Sequence, residues 1–249
     1  MEQLLLWCDS IISYLKKHGV KFRNGYAVLP DYAYYTGIPF TIESHQFRNK
    51  IPESVRHRSL ICYFSSDDRL IQRLFKIDDE IPELLNYGGI CGFDLSASIT
   101  MLRPRQRLCL LVNSLFNCYV AIHGVKVLPN CRTGDLANMS IISNIPPNTN
   151  IISGELGCKR NGFGTYGLYQ LCITRKIVSP PIMFIYGSLS NRDIQFVCDR
   201  SPQNFVVYPS ARDKYRNKKQ PSAMIWNGSS IHKMPIEDFV SEGGSCYGC

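Results

Sequence analysis

The chain has 249 residues, 45% of them hydrophobic and 19% charged, with a formal net charge of +8. That length and balance suit one large globular domain or two small ones, and exclude a disordered or collagen-like chain. No run of about 18 apolar residues occurs, which excludes a membrane-spanning helix and a membrane partner of that kind.

The first stretch, MEQLLLWCDSIISYLKKHG, places Leu4, Leu5, Ile11, Ile12 and Leu15 among polar residues, the spacing of an amphipathic helix over 2–18. An acidic residue at position 2 and no basic n-region set it apart from a signal peptide. From Ser59 the sequence alternates. SLICYFSS reads as a strand, and DDRLIQRLFKI as a helix with Asp67 as its N-cap. GICGFDLS is a second strand, followed by a long helix from Arg103 to Ile122 with Pro104 in its first turn and Gly124 just beyond its end. HGVKVLPN, TNIISGELG, PIMFIYGS and QNFVVYPS continue as strands, with helical patterns between them. Near-continuous apolar strands, each followed by a helix, predict a parallel sheet covered on both faces. The segment NGYAVLPDYAYYTGIPFTIES can add one or two strands. The expected fold is therefore α/β and β/α-barrel-like, TIM-like in an incomplete or irregular form. An open doubly wound parallel sheet is the alternative. No glycine-rich phosphate loop follows the first strand, so no cofactor is expected, and the barrel is preferred. One domain is expected over 1–210, with β-α units from about 59. A basic, partly ordered appendage is expected over 211–249.

Ligands of parallel β/α folds bind outside the carboxyl ends of the strands, so the strand ends name the candidates. Asp94 and Glu155 are the candidate acid/base pair, because a strand-end mouth can desolvate one carboxylate while the other stays ionised. Ser96, Asn113, Asn130, Arg132 and Tyr186 are candidate ligand-binding residues. Asp94 and Ser96, two positions apart on a strand, would share a face, and Asn113 or Asn130 would partner the buried carboxylate. Asp67 and Asp135 immediately precede helices and read as caps. Cys158, beside Lys159 and Arg160, has neighbours that lower a thiol pKa, although a loop cysteine without a role is the preferred reading.

Eleven cysteines, an odd number, point to a reducing compartment and free thiols, most of them inside apolar runs. The single C-x-x-C, Cys246 and Cys249, lacks a second ligand pair, so no metal is expected. The basic excess is clustered at His45–Arg58, Arg103–Arg107 and Ala211–Gln220. Arg103, Arg105, Arg107, Arg212, Lys214, Arg216, Lys218 and Lys219, with Tyr215 able to stack on a base, form the expected contacts to a nucleic-acid backbone.

From Gly88 to Pro209 the chain resembles a family found in phages and bacteria, domain of unknown function number 4417. The carrying residues are GFDLS (Gly92–Ser96), Gln106, Asn113, HGVKVLP (His123–Pro129), Gly134 with Asp135, GCK (Gly157–Lys159), and Tyr186 with Gly187. The family's helix carries an asparagine and then arginines flanking a second asparagine. Here Cys109, Val112 and Ser114 stand at those places. The resemblance implies a phage or mobile-element origin and the cytoplasm of a host cell, and it implies no activity. The expected function is binding of, or action on, nucleic acid or nucleotides at the strand-end mouth. A base-exchanging transferase of the tRNA-guanine type resembles such a barrel, but its Cys/His zinc site is missing here. The alternative is a non-enzymatic structural or host-interaction protein with a vestigial mouth.

Overall fold

A computed structural model describes residues 2–154, 164–187, 204–226 and 231–241. It is a mixed α/β fold built on two sheets. In the first, β3 (Ile42–Ser44), β4 (Leu60–Cys62), β5 (Gly89–Cys91) and β6 (Val127–Leu128) run parallel and in chain order. In the second, β7 (Ile151–Gly154), β8 (Ile182–Tyr186) and β9 (Asn204–Tyr208) are parallel. There β10 (Ser222–Trp226) and β11 (Ile231–Pro235) follow antiparallel. One parallel bridge, Asn130 to Ile152, joins the sheets. Its hydrogen bonds run from Ile152 N–H to the Pro129 carbonyl at 2.9 Å and from Cys131 N–H to the Ile152 carbonyl at 3.1 Å. A small hairpin of β1 (Phe22–Arg23) and β2 (Tyr26–Ala27) stands apart.

The side-chain period of two divides each strand between two cores. Ile61, Ile90 and Val127 face a cluster built with α1 (Glu2–Lys17), α2 (Glu53–Arg56), α3 (Asp67–Leu74), α4 (Ile77–Leu84) and α5 (Arg103–Ile122). Their neighbours Leu60, Cys62, Cys91 and Leu128 face the other way, into a cluster shared with Ile152, Phe184, Val206 and Ala223 of the second sheet. Fully burying a side chain of this size contributes about 1.5–3 kcal/mol, so these two-sided strands hold the fold although each is short. A further cluster sets Ile151, Met183, Ile185 and Phe205 against Leu171 and Cys172 of α6 (Gly164–Val178).

A closed barrel is not found. Among the described residues no ladder joins β3 to the second sheet. That sheet turns antiparallel after β9 instead of adding another parallel strand. At this edge side chains take over: the Tyr208 hydroxyl donates to the Pro39 carbonyl, and Lys214 Nζ lies 2.8 Å from Glu43 Oε2. The segment expected as an appendage supplies part of this edge. It forms α7 (Ala211–Asn217), β10, β11 and α8 (Ile236–Ser241), and it buries Ala223 and Phe239 in the shared cluster.

The helix ends follow local chemistry. Gly124 takes φ +96° just past α5, as its place in the sequence predicts. Asp135 caps the 3-10 helix Leu136–Asn144 by accepting from Ala137 N–H at 2.8 Å. Asp67 does not cap α3: Ser66 holds the N-cap position, and the Asp67 carboxylate is used elsewhere.

Candidate functional site

Beyond Cys91 the chain from Gly92 to Ser98 carries no strand assignment. It is held by side chains. Asn117 Oδ1 accepts from Phe93 N–H at 2.9 Å, and Asn113 Oδ1 accepts from Leu95 N–H at 2.8 Å. Asn113 Nδ2 also donates to the Leu95 carbonyl at 3.1 Å. The spacing matches: four helical residues advance about 6 Å and two extended residues about 6.6 Å, so an i, i+4 pair on α5 meets alternate peptides of an extended chain. Asp67 Oδ1 then accepts from Ser96 N–H at 3.0 Å. Gly92 is needed for a close approach, since a Cβ there would lie 2.7 Å from Asn130 N.

This places Asp94 at the carboxyl ends of β5 and β6, with only 3% of its surface exposed. Asn130 Nδ2 donates to Asp94 Oδ1 at 2.7 Å, and Arg132 Nη1 lies 3.1 Å from Asp94 Oδ2. Asn130 Oδ1 in turn accepts from Arg132 N–H at 3.3 Å. Burial raises the Asp94 carboxyl above its ordinary value, against the opposing pull of Arg132 and Asn130, and Asp67 adds to the rise. Both carboxylate oxygens are thus engaged, and the group is shut from solvent. Of the two expected partners, Asn130 serves Asp94, and Asn113 serves the Leu95 backbone.

The remaining expected residues do not gather around Asp94. Ser96 is half-buried and held through its backbone. Tyr186 lies in the shared inner cluster, its ring 5.6 Å from that of Phe64, and its hydroxyl accepts from Ala211 N–H at 3.1 Å. Glu155, Cys158, Lys159 and Arg160 lie outside the described residues, as do Cys246 and Cys249. Beside Asp94, between α5 and the ends of β5 and β6, is a cavity of about 80 Å³ lined by Asn113, Asn117, Asn130, Arg132 and Asn144 among apolar groups. A cavity of about 150 Å³ holds one benzene. This one has room for a few waters, not for a nucleobase.

The basic residues divide into two sets. Arg103, Arg105 and Arg107 are exposed along the first turns of α5, and no ion pair among the described residues involves them. In the run after Ala211, Lys214 is bound to Glu43, and Lys219 lies 3.3 Å from Asp213. The Tyr215 hydroxyl donates to Glu43 at 2.6 Å, and Lys50 Nζ sits 3.9 Å from its ring centroid. Arg216 and Lys218 are exposed. The Arg212 side chain lies outside the described residues. The expected basic strip is therefore partly spent on fastening β3 to α7.

Among the described residues no group of three or more His, Cys, Asp or Glu side chains could hold a metal. Burial pushes the Cys62 thiol up to about 12 and the Cys109 thiol up to about 11. Such thiols pack as small hydrophobes and are poor nucleophiles.

Sequence reasoning missed a second concavity at the same end of the first sheet, lined by Tyr63, Arg69, Arg73 and Lys76. The signal was present in DDRLIQRLFKI: cations at i, i+4 and i+7 share one helix face. No family model, curated protein or solved structure matches this chain.

Proposed function

We propose that the protein binds nucleic acid or nucleotides along the carboxyl-end rim of its parallel strands and catalyses no reaction at Asp94. The observation that carries this reading is the exposed arginine trio Arg103, Arg105 and Arg107, which has no carboxylate partner among the described residues. No acidic residue stands in the first turn of α5. The positive end of the helix dipole adds to the arginine charge there, and such a field attracts phosphate backbones. The net charge of +8 points the same way. Against catalysis stand the saturated, buried carboxylate of Asp94 and a cavity too small for a base.

The architecture that best accommodates this reading is an incomplete β/α barrel. Parallel strands in chain order and one inner cluster drawn from both sheets support it. Kinship with the phage family of unknown function is proposed on Gly92–Ser96, Gln106 and Asn113. Gln106 fastens the chain much as the asparagines do, its Oε1 accepting from Asp135 N–H at 2.9 Å and from Asn138 Nδ2 at 2.8 Å. A family signature built on such residues specifies a scaffold. The second reading, a non-enzymatic interaction protein, is favoured by Leu102, 80% exposed beside the same arginines. Binding of labelled single-stranded and duplex oligonucleotides at low salt, with all three arginines changed to Gln, separates the two. Loss of binding supports the rim. A wild type that binds none of them leaves the interaction protein.

A further inference from the structure

A cleft of about 360 Å³ opens between the 3-10 turn His45–Lys50 that follows β3 and the helix α3 that follows β4. Its lining includes Ser44, Tyr63, Ser65, Arg69, Arg73 and Lys76, and no carboxylate. It therefore sits outside the carboxyl ends of two parallel neighbours, the end at which parallel β/α folds bind ligands. Its volume falls at the low end of small-molecule sites, about 300–1,000 Å³.

Two nearby acids are already occupied. Glu80 Oε2 lies 3.0 Å from His45 Nε2, and its Oε1 lies 2.5 Å from Arg73 Nη1. Glu83 is held by both Arg48 Nε and Nη2, each at 2.7 Å. Glu80 thus orients Arg73 on the wall of the cleft without neutralising its neighbours. Arg69 and Lys76 are exposed and make no ion pair among the described residues.

Beneath them is Tyr63, 1% exposed, whose hydroxyl has no hydrogen-bond partner among the described residues. Its ring is fixed by His45 at 5.3 Å and by Phe93 and Phe116, both at 5.4 Å. A buried hydroxyl is seldom left unpaired, because it gave up water to be there. Here Tyr63 is one of the residues lining a cleft whose charged side chains, Arg69, Arg73 and Lys76, are all donors. A ligand completing this set must bring several acceptor oxygens and negative charge.

We infer that this cleft is a binding site for the phosphate group of a small phosphate ester, held by Arg69, Arg73 and Lys76 with the Tyr63 hydroxyl as an additional donor. Guanidinium groups bind phosphate through paired N–H donors, and lysine adds a point charge. The site is distinct from the arginine trio of α5 and does not depend on it.

Titration calorimetry with inorganic pyrophosphate tests this on four proteins: wild type, Arg69→Gln/Lys76→Gln, Tyr63→Phe and Arg103→Gln/Arg105→Gln/Arg107→Gln. Pyrophosphate should bind the wild type, and the double variant should bind it at least about tenfold more weakly. Tyr63→Phe should weaken binding several-fold while leaving the melting temperature of the unliganded protein unchanged or higher, because it removes an unpaired buried hydroxyl. Changing Arg103, Arg105 and Arg107 to Gln should leave pyrophosphate binding intact, which separates this site from the rim. Displacement of pyrophosphate by a nucleoside monophosphate identifies a free ester as the source. Displacement only by a 5′-phosphorylated oligonucleotide identifies a nucleic-acid end. No binding by the wild type at millimolar pyrophosphate, or equal binding by the double variant, overturns the inference.

Discussion

Asn113 and Leu95 are joined by two hydrogen bonds, 2.8 Å from the Leu95 N–H to Oδ1 and 3.1 Å from Nδ2 to the Leu95 carbonyl. One side chain supplies what a neighbouring strand would have supplied to that peptide. The extended chain can therefore leave the sheet after Cys91 and still keep its backbone satisfied, as a buried segment must. Asn113→Ala strands both groups and should destabilise the protein by about 2–3 kcal/mol, read from urea denaturation. Asn113→Asp keeps the acceptor but sets a carboxylate against the Leu95 carbonyl, and should be no better. A loss under about 0.5 kcal/mol would mean that this peptide does not depend on the side chain.

Asp94 is expected to be a structural residue. Asp94→Asn keeps the shape but turns a donor amide toward Arg132, whose guanidinium loses the Asp94 carboxylate. Stability should fall by about 1–3 kcal/mol, and oligonucleotide affinity should stay unchanged. Arg132→Gln should also destabilise, and the double variant less than the sum of the two, because the residues share one interaction. Additive losses would contradict the pairing.

Acid should act through Glu80 and Glu83. For Glu80, burial raises the pKa, but His45 and Arg73 together outweigh it and hold the carboxyl below its ordinary 4.5. For Glu83 the hydrogen bond from Arg48 dominates and lowers it, against partial burial. The unfolded chain takes up these protons first, so the two groups stabilise the protein above their ordinary range. That stability is lost as pH falls through 4.5 toward their lower folded values. Asp94 has the opposite sign: its raised carboxyl makes ionisation costly as pH rises through the carboxylate range. Melting temperature against pH should therefore fall less steeply on the acid side for Glu80→Gln. It should fall more steeply for Asp94→Asn, which removes the opposing term.

Much of this architecture is legible in the sequence because it rests on local periodicity. The apolar runs LICYF and IMFIYG become buried strands, and Pro104 and Gly124 bracket the long helix. Asp135 caps as expected, because a cap needs only its own next residues. Asp67 is a different case: its bond to Ser96 crosses 29 positions, and no local pattern distinguishes that role from capping. Asp94 and Asn130 were legible as partners from their strand ends. The assignment of Asn113 depended on where α5 lies along the extended chain, which only packing decides. The run after Ala211 looked like a free basic strip because its acid, Glu43, is 171 residues away from Lys214.

The arginine trio at the head of α5 is expected to contact phosphates. The direct measurement is the salt dependence of oligonucleotide binding by fluorescence anisotropy, wild type against Arg103→Gln/Arg105→Gln/Arg107→Gln, on DNA and RNA in single-stranded and duplex form. Each phosphate contact adds about 0.7–0.9 to the slope of log affinity against log salt. A shallower slope is expected for the triple variant, by about 2–3 if all three arginines engage, with affinity lost at low salt and an unchanged melting temperature. An unchanged slope and affinity in the triple variant, or a wild type that binds none of these oligonucleotides at low salt, would contradict it.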